Sequence, residues 1–515
     1  MQLKLKEFID RYWILLLLII IKLILQVVVV NPVYELHRDE FLYLNQADHL
    51  AFGYICVPPF TAFISKIIYL LGGSIFWIRF FPALFGALTI IFTWLIVESA
   101  GGSLFSRIVA GSALVFSILA RMNILYQPNS FDILTWTIIF YFLIKFIQSD
   151  KTKWLWYLSL IIAVGFYNKY NLIFLIAGLA IGLLLTYQRK IIINPTFWKA
   201  LIVALILHSP NIIWQIQNHF PVFQHMKVLK HNQLDNNTSI GFLRSQFMFF
   251  IGSLPLTAGA LIALFTYKSF RNYRFIGITF VAVIALFAYM KAKDYYAIGI
   301  YPVMIAFGSV YIDSILTKKW KPVVLSLLIL FNLTIFLLTL KVVYPIYTPS
   351  EIRQNAKAFE RFGLLRWEDG KNHNLPQDFA DMIGWREMAD KSLAAYKMIP
   401  SDERENTLII CYNYGQAGAL NYFNRKKMPE AYAYNTDYIY WLPRLKKIQN
   451  ILLVGKNPGQ RITGQFKDCK LMGIVENPYA RESGTEIYLL TGASDLFTLV
   501  FYNNVEERKK KLDIF

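Results

Sequence analysis

Between Trp13 and Leu340 the sequence returns repeatedly to apolar runs of a length that suits a helix crossing the roughly 30 Å hydrocarbon layer of a bilayer. This restricts the fold more than any other feature, because backbone polar groups in lipid must be satisfied inside helices or a closed barrel. With 56% hydrophobic, 16% aromatic and only 17% charged residues, an ordinary soluble globular protein is excluded. The expected spans are 13–31, 75–97, 104–120, 131–146, 154–166, 172–185, 201–214, 242–265, 275–290, 297–315 and 323–340, about eleven crossings of a polytopic α-helical membrane protein. Several are short, which shielding within a bundle or local thinning of the bilayer accommodates. The first is too long for a signal peptide and no small-x-small cleavage site follows it, so it is expected to stay as an anchor.

The net charge of +19 would suit nucleic acid if the cations formed a patch. They fall instead into short connections: Lys4, Lys6 and Arg11; Lys151 and Lys153; Arg189, Lys190 and Lys199; Lys268, Arg271 and Arg274; Lys318, Lys319 and Lys321. Threading the spans puts every cluster on one face, which the positive-inside rule makes cytoplasmic, and no nucleic-acid partner is needed. Cys56, Cys411 and Cys469 show no metal-type spacing; a Cys411 to Cys469 disulfide is left open.

Residues 32–73 then lie on the outer face and alternate polar with apolar positions. Two short amphipathic helices are expected there, Asp39 to about Phe52 and Pro58-Pro59 to Gly72-Gly73, lying in the interface plane. Hydropathy falls from about Val342, dividing the chain into a membrane domain, 1–341, and an extracytoplasmic α/β domain, 342–515. Strands are expected at Thr407–Tyr412, Ile451–Val454 and Glu486–Leu490, and a helix opening at Gly415. Gly415 and Gly418 fit helix-start packing better than a fragment of a nucleotide loop. Asn236-Asn237-Thr238 is an outer-face glycosylation sequon.

Carboxylates and cations on the outer face are the candidates for chemistry. Asp39 and Glu40, beside His37 and Arg38, sit where a soluble substrate and a lipid headgroup both reach; Asp39 would serve equally as the N-cap of the first short helix. Asp132 stands at the outer end of a span, where an unpaired carboxylate is costly, and so counts as functional, with a helix-start role as the alternative. Lys169, Lys291 and Lys293 run against the positive-inside bias, and binding a phosphate would explain them, with Tyr295 or Tyr296 adding a hydroxyl. Snorkelling to headgroups explains each lysine singly as well. Arg38, Arg79 and Arg121 are weaker candidates for the same task. His37, Asp39, Glu40 and His49 could be gathered round a divalent cation, which their spacing does not require.

Five pieces, in this order and topology, resemble the membrane glycosyltransferases of the GT-C fold: the protein O-mannosyltransferase and aminoarabinose transferase group of glycosyltransferase family 39 and its bacterial relatives. They are Asp39-Glu40 after one span, the Pro58-Pro59 turn, Arg79-Phe-Phe-Pro-Ala-Leu-Phe-Gly entering the next span, Asp132, and Lys293-Asp-Tyr-Tyr-Ala-Ile-Gly-Ile-Tyr-Pro. The resemblance covers residues 1–341. It implies inverting transfer of a sugar from a polyprenyl-phosphate donor to a lipid, protein or glycan acceptor on the outer face of a cell membrane, a bacterial inner membrane in its bacterial members. Asp39 would take the acceptor hydroxyl's proton, Lys293, Lys169 and Arg121 would stabilise the leaving phosphate, and Asp132 would orient the acceptor, hold a divalent ion or fix a cation. One departure is plain: the aminoarabinose transferases have Glu-Lys-Pro where this chain has Cys56-Val57-Pro58-Pro59. A cationic phosphate contact is missing there, which counts against an aminoarabinose donor and a lipid A acceptor. The alternative is a transporter or lipid flippase with an outer binding domain. Against it, the polar residues gather on one face instead of forming a path, and no repeated halves occur.

Overall fold

The computed structural model describes residues 2–511, with side chains over residues 12–510, so Lys4, Lys6 and Arg11 lie outside the described side chains. Two compact units emerge, one drawn from Met1–Val30, Phe76–Ile213 and Gln233–Ile346, the other from Asn31–Ile75, Trp214–Asn232 and Tyr347–Phe515.

The first unit is helical. Among the described residues, six helices are long and apolar enough to cross a membrane: Ile75–Ser99, Pro128–Ser149, Pro195–Gln217, Lys268–Tyr289, Asp294–Ile315 and Lys321–Val343. Two bent pairs, Leu172–Leu184 with Tyr187–Ile193 (109°) and Ser239–Phe249 with Ile251–Thr266 (68°), raise the number to eight if each is one span. The protein is therefore a multi-pass membrane protein. The other expected runs are helical but shorter, at Tyr12–Val28, Leu104–Val115 and Lys153–Asn168. The run expected at 104–120 breaks because Ser117 starts a new turn, its hydroxyl accepting from the Leu119 N–H at 3.3 Å, and Ile118–Met122 forms a separate helix.

Helices in lipid pack where small residues let backbones approach. Gly308 is such a point, since a Cβ there would overlap the Leu256 carbonyl. Gly86 makes room for a group passed over in the sequence: Lys22, on the first helix and 2% exposed, whose Nζ donates to Gln26 Oε1 at 2.8 Å.

The second unit is built on a five-stranded sheet, β1 (Thr407–Cys411), β2 (Ala431–Ala433), β3 (Asn450–Gly455), β4 (Phe466–Ile474) and β5 (Glu486–Ala493), in the order β2-β1-β3-β5-β4. β1 pairs parallel with β2 and β3, and β5 pairs antiparallel with β3 and β4. Because β3 and β5 separate β1 from β4, Cys411 and Cys469 are not neighbours, and all three cysteines are free thiols.

The segment after the first helix, Asn31–Ile75, folds as part of this unit. Its first helix, Arg38–Asn45, is shorter than expected and does not lie with its apolar side in lipid. Phe41 and Leu44 are fully buried, Phe41 against Trp385, Tyr422 and Phe423 with ring centroids 5.6–5.8 Å away. The partner is the helix Tyr414–Phe423, whose glycines permit the approach: a Cβ on Gly415 would come 2.6 Å from Arg38 Cγ, and one on Gly418 2.7 Å from Phe41 Cβ. These glycines pack a helix pair, as the sequence favoured over a nucleotide loop. Polar contacts extend the docking. The Glu35 carboxylate accepts from the Trp385 N–H (2.7 Å), Arg425 grips Asp48 through two bonds of 2.6 Å, and Asp437 accepts from the Ile55 N–H (2.6 Å) and Gln46 Nε2 (3.0 Å). The second helix, Phe60–Leu70, does keep an exposed apolar side, with Phe63, Ile67 and Leu70, as an interfacial helix should.

Burial raises the Asp437 carboxyl to about 6, against the pull of its two donors. Its folded pKa exceeds its unfolded one, so ionisation opposes folding. That cost is absent below about pH 4 and complete above about pH 6, amounting to about 2–3 kcal/mol. Thermal unfolding of the purified protein from pH 4 to 7 is expected to lose stability as pH rises, and Asp437→Asn to flatten that slope. An unchanged slope in the variant would contradict the assignment.

Candidate functional site

In the second unit, a capping box shapes the entry to the Arg38–Asn45 helix. His37 is the N-cap, its Nδ1 accepting from the Asp39 N–H at 3.1 Å while the Glu40 carboxylate accepts from the His37 N–H at 2.6 Å. The cap is thus His37 and not Asp39. Glu40, 0% exposed, is committed to the box and supports the turn. Asp39 keeps 32% of its side chain exposed, enough for a substrate to reach it.

What surrounds Asp39 comes mainly from far along the chain. Tyr414 Oη donates to Asp39 Oδ1 at 2.8 Å, and the Arg38 guanidinium lies over the Tyr414 ring, 4.3 Å from its centre. Asp39 Oδ2 is 3.9 Å from His37 Nδ1, whose other nitrogen faces Asp381 at 3.6 Å and Asp378 at 3.9 Å. Arg481 pairs with Asp381 at 2.9 Å. Burial pushes the Asp381 carboxyl up, against His37, Arg481 and Arg38. Burial likewise pushes the Tyr414 hydroxyl well up, with Arg38 opposing it, so Tyr414 stays protonated and donates. His49 is engaged elsewhere, bonded to Glu430 at 2.7 Å and stacked on Trp441 at 4.3 Å. Among the described residues no group of three or more His, Cys, Asp or Glu is placed to hold a metal ion, so the gathering of His37, Asp39, Glu40 and His49 is not formed.

The first unit holds the other cluster. Asp132, 5% exposed in the opening turns of Pro128–Ser149, accepts from Trp136 Nε1 and Asn171 Nδ2, each at 3.0 Å. Trp136 stands four residues on, one helical turn away on the same face. Lys169 extends from the end of the Lys153–Asn168 helix; its Nζ donates to Asn129 Oδ1 at 2.7 Å and sits 4.5 Å and 5.2 Å from the Tyr296 and Tyr295 ring centres. Both tyrosines belong to the turn Asp294–Ile300, which Lys293 precedes as N-cap. Lys169 interacts electrostatically with both Asp132 and Lys293. Asp132, Lys169, Lys293, Tyr295 and Tyr296 are thus brought together as one patch, a buried carboxylate beside half-buried cations. Arg121 is buried in the separate helix Ile118–Met122, and Arg79 serves the fold, its Nη1 donating to the Ile124 carbonyl at 2.6 Å.

Sequence reading missed Tyr414, Asp381, Arg481, Asn129 and Asn171 as partners. Trp136 was within reach of helical spacing from Asp132; the others join segments too distant for spacing to signal.

Residues 56–214 match the family model for dolichyl-phosphate-mannose-protein mannosyltransferase. Comparison with curated proteins finds no match. Among solved structures, ArnT from Cupriavidus metallidurans bound to undecaprenyl phosphate is similar in fold at 13% identity, with a TM-score of 0.58 over 92% of this chain and 97% of that one. Its apo state gives a TM-score of 0.59 at 13% identity over 93% and 98%. The archaeal oligosaccharyltransferase AglB from Archaeoglobus fulgidus, in complex with an inhibitory peptide and a dolichol-phosphate, gives 0.50 at 10% identity over 86% and 70%.

Proposed function

We propose that this chain, a membrane glycosyltransferase of the GT-C fold, moves a sugar from a polyprenyl-phosphate donor to an acceptor hydroxyl on the outer face of its membrane, with inversion at the anomeric carbon and Asp39 as general base. The family match over residues 56–214, which begins beyond the helix that carries Asp39, carries this reading. The ArnT and AglB structures with bound polyprenyl phosphates support the donor class.

Each residue then has a task that its surroundings suit. Asp39, ordered by Tyr414 yet reachable, takes the proton as the acceptor oxygen attacks the anomeric carbon. Glu40 holds the turn that presents it. The departing polyprenyl phosphate is an anion, and Lys169 and Lys293, with the Tyr295 and Tyr296 hydroxyls, supply positive charge and donors for it. Asp132 holds Lys169 near neutral balance and fixes Asn171. The exposed apolar side of Phe60–Leu70 suits a helix resting in lipid at headgroup depth. The basic connections, read by the positive-inside rule, support an outer-face position for residues 342–515.

The test is chemical. Mass spectrometry of a deletion strain is expected to show a retained lipid-linked sugar and an acceptor lacking it, which names both substrates. Unchanged glycoconjugates and carrier lipids would contradict the proposal.

A further inference from the structure

We propose that Tyr414, on the sheet-bearing unit, is a positioning residue for Asp39: its hydroxyl fixes one carboxylate oxygen and lowers the basicity of the other. The inference rests on the reading of Asp39 as the base. Its ground is geometric. Tyr414 Oη is 2.8 Å from Asp39 Oδ1, and His37 Nδ1 lies 3.9 Å from Oδ2, on a side chain one-third exposed. A base on the exposed first turn of a helix gains from such an anchor, because a carboxylate free to rotate presents its proton-accepting lone pair only part of the time.

Tyr414 is itself held. Arg38 covers its ring, and Gly415 leaves room for the Arg38 chain, since a Cβ there would come within 2.6 Å of Arg38 Cγ. Asn413 caps the helix that carries Tyr414 and is tied by its Nδ2 to Glu482 at 3.1 Å; Gln416 donates to the same carboxylate at 2.7 Å. The donor therefore arrives on a braced element. The charged and titratable groups around Asp39 are His37 and Arg38 on its own segment, Tyr414 on the packed helix, Cys56 beyond the loop, and, through Arg38, Asp381 and Glu482. Tyr414 donates directly to the carboxylate.

A donor to the ionised form lowers a carboxyl pKa, so its loss raises it. With purified protein added to deletion-strain membranes, whose own donor and acceptor serve as the probe, the acidic limb of the pH–rate profile is expected to move up by about one unit in Tyr414→Phe. Activity at a pH below the limb falls roughly ten-fold, and most is regained above it. Substituting 3-fluorotyrosine at 414, a stronger donor of nearly the same shape, moves the limb down. A purely structural role would lower the rate at all pH values and leave the limb in place. Limbs unmoved in both variants, with Asp39→Asn inactive, would overturn the inference and leave the function standing. Transfer by Asp39→Asn would overturn the reading on which both rest.

Discussion

Asp39→Asn is expected to leave the protein inserted and folded while lowering sugar transfer by about 10²–10⁴-fold, the range lost with a general base. The amide keeps the size of the carboxylate and an oxygen for the Tyr414 hydroxyl, so the helix pair around Phe41 and Gly418 is undisturbed. It cannot take a proton from an acceptor. Glu40→Ala should behave differently. The Glu40 carboxylate accepts from the His37 N–H, and loss of that bond acts on folding first, by about 1–3 kcal/mol. Comparing the two variants by rate and by thermal unfolding separates a base from a support; equal rates for Asp39→Asn and the wild type would remove Asp39 from the chemistry.

The second large effect is expected at Lys169. Lys169→Met should reduce transfer by about 10²-fold or more, as loss of a donor aimed at developing negative charge does. A competing explanation is local: Lys169 could merely balance Asp132. The double variant Lys169→Met/Asp132→Asn decides between them. If balance were the whole role, removing both charges would restore stability and activity together. If Lys169 serves the leaving phosphate, the double variant regains stability and stays inactive.

The sequence made some of this plain and hid the rest for physical reasons. Apolar runs specify membrane helices because lipid leaves the backbone few alternatives, and the expected runs are helical in the structure. Run length did not decide every crossing: Ser117 competes for the backbone inside an apolar stretch and splits 104–120. Strands at 407–411, 450–455 and 486–493 were legible from β-branched and aliphatic runs, whereas β2 and β4, short or polar, were not. The segment that follows the first helix was misjudged at one point. An amphipathic helix needs an apolar partner, and the sequence around Asp39 does not say whether that is lipid or protein. Here it is the Tyr414–Phe423 helix, signalled only by Gly415 and Gly418. Asp39 and Asp132 stood out because carboxylates are costly beside a membrane. Tyr414 did not, being 375 residues from its partner and of a type that is common in this chain.

Reconstitution in vesicles measures the central claim most directly: protein is supplied with carrier lipid from the deletion strain and the unmodified acceptor, and free polyprenyl phosphate and glycosylated acceptor are both quantified. Equal molar appearance of the two, dependent on Asp39, is the expected result. Lipid-linked sugar that crosses the bilayer intact, with no polyprenyl phosphate released, would contradict it and mark the protein as a carrier of lipid across the membrane.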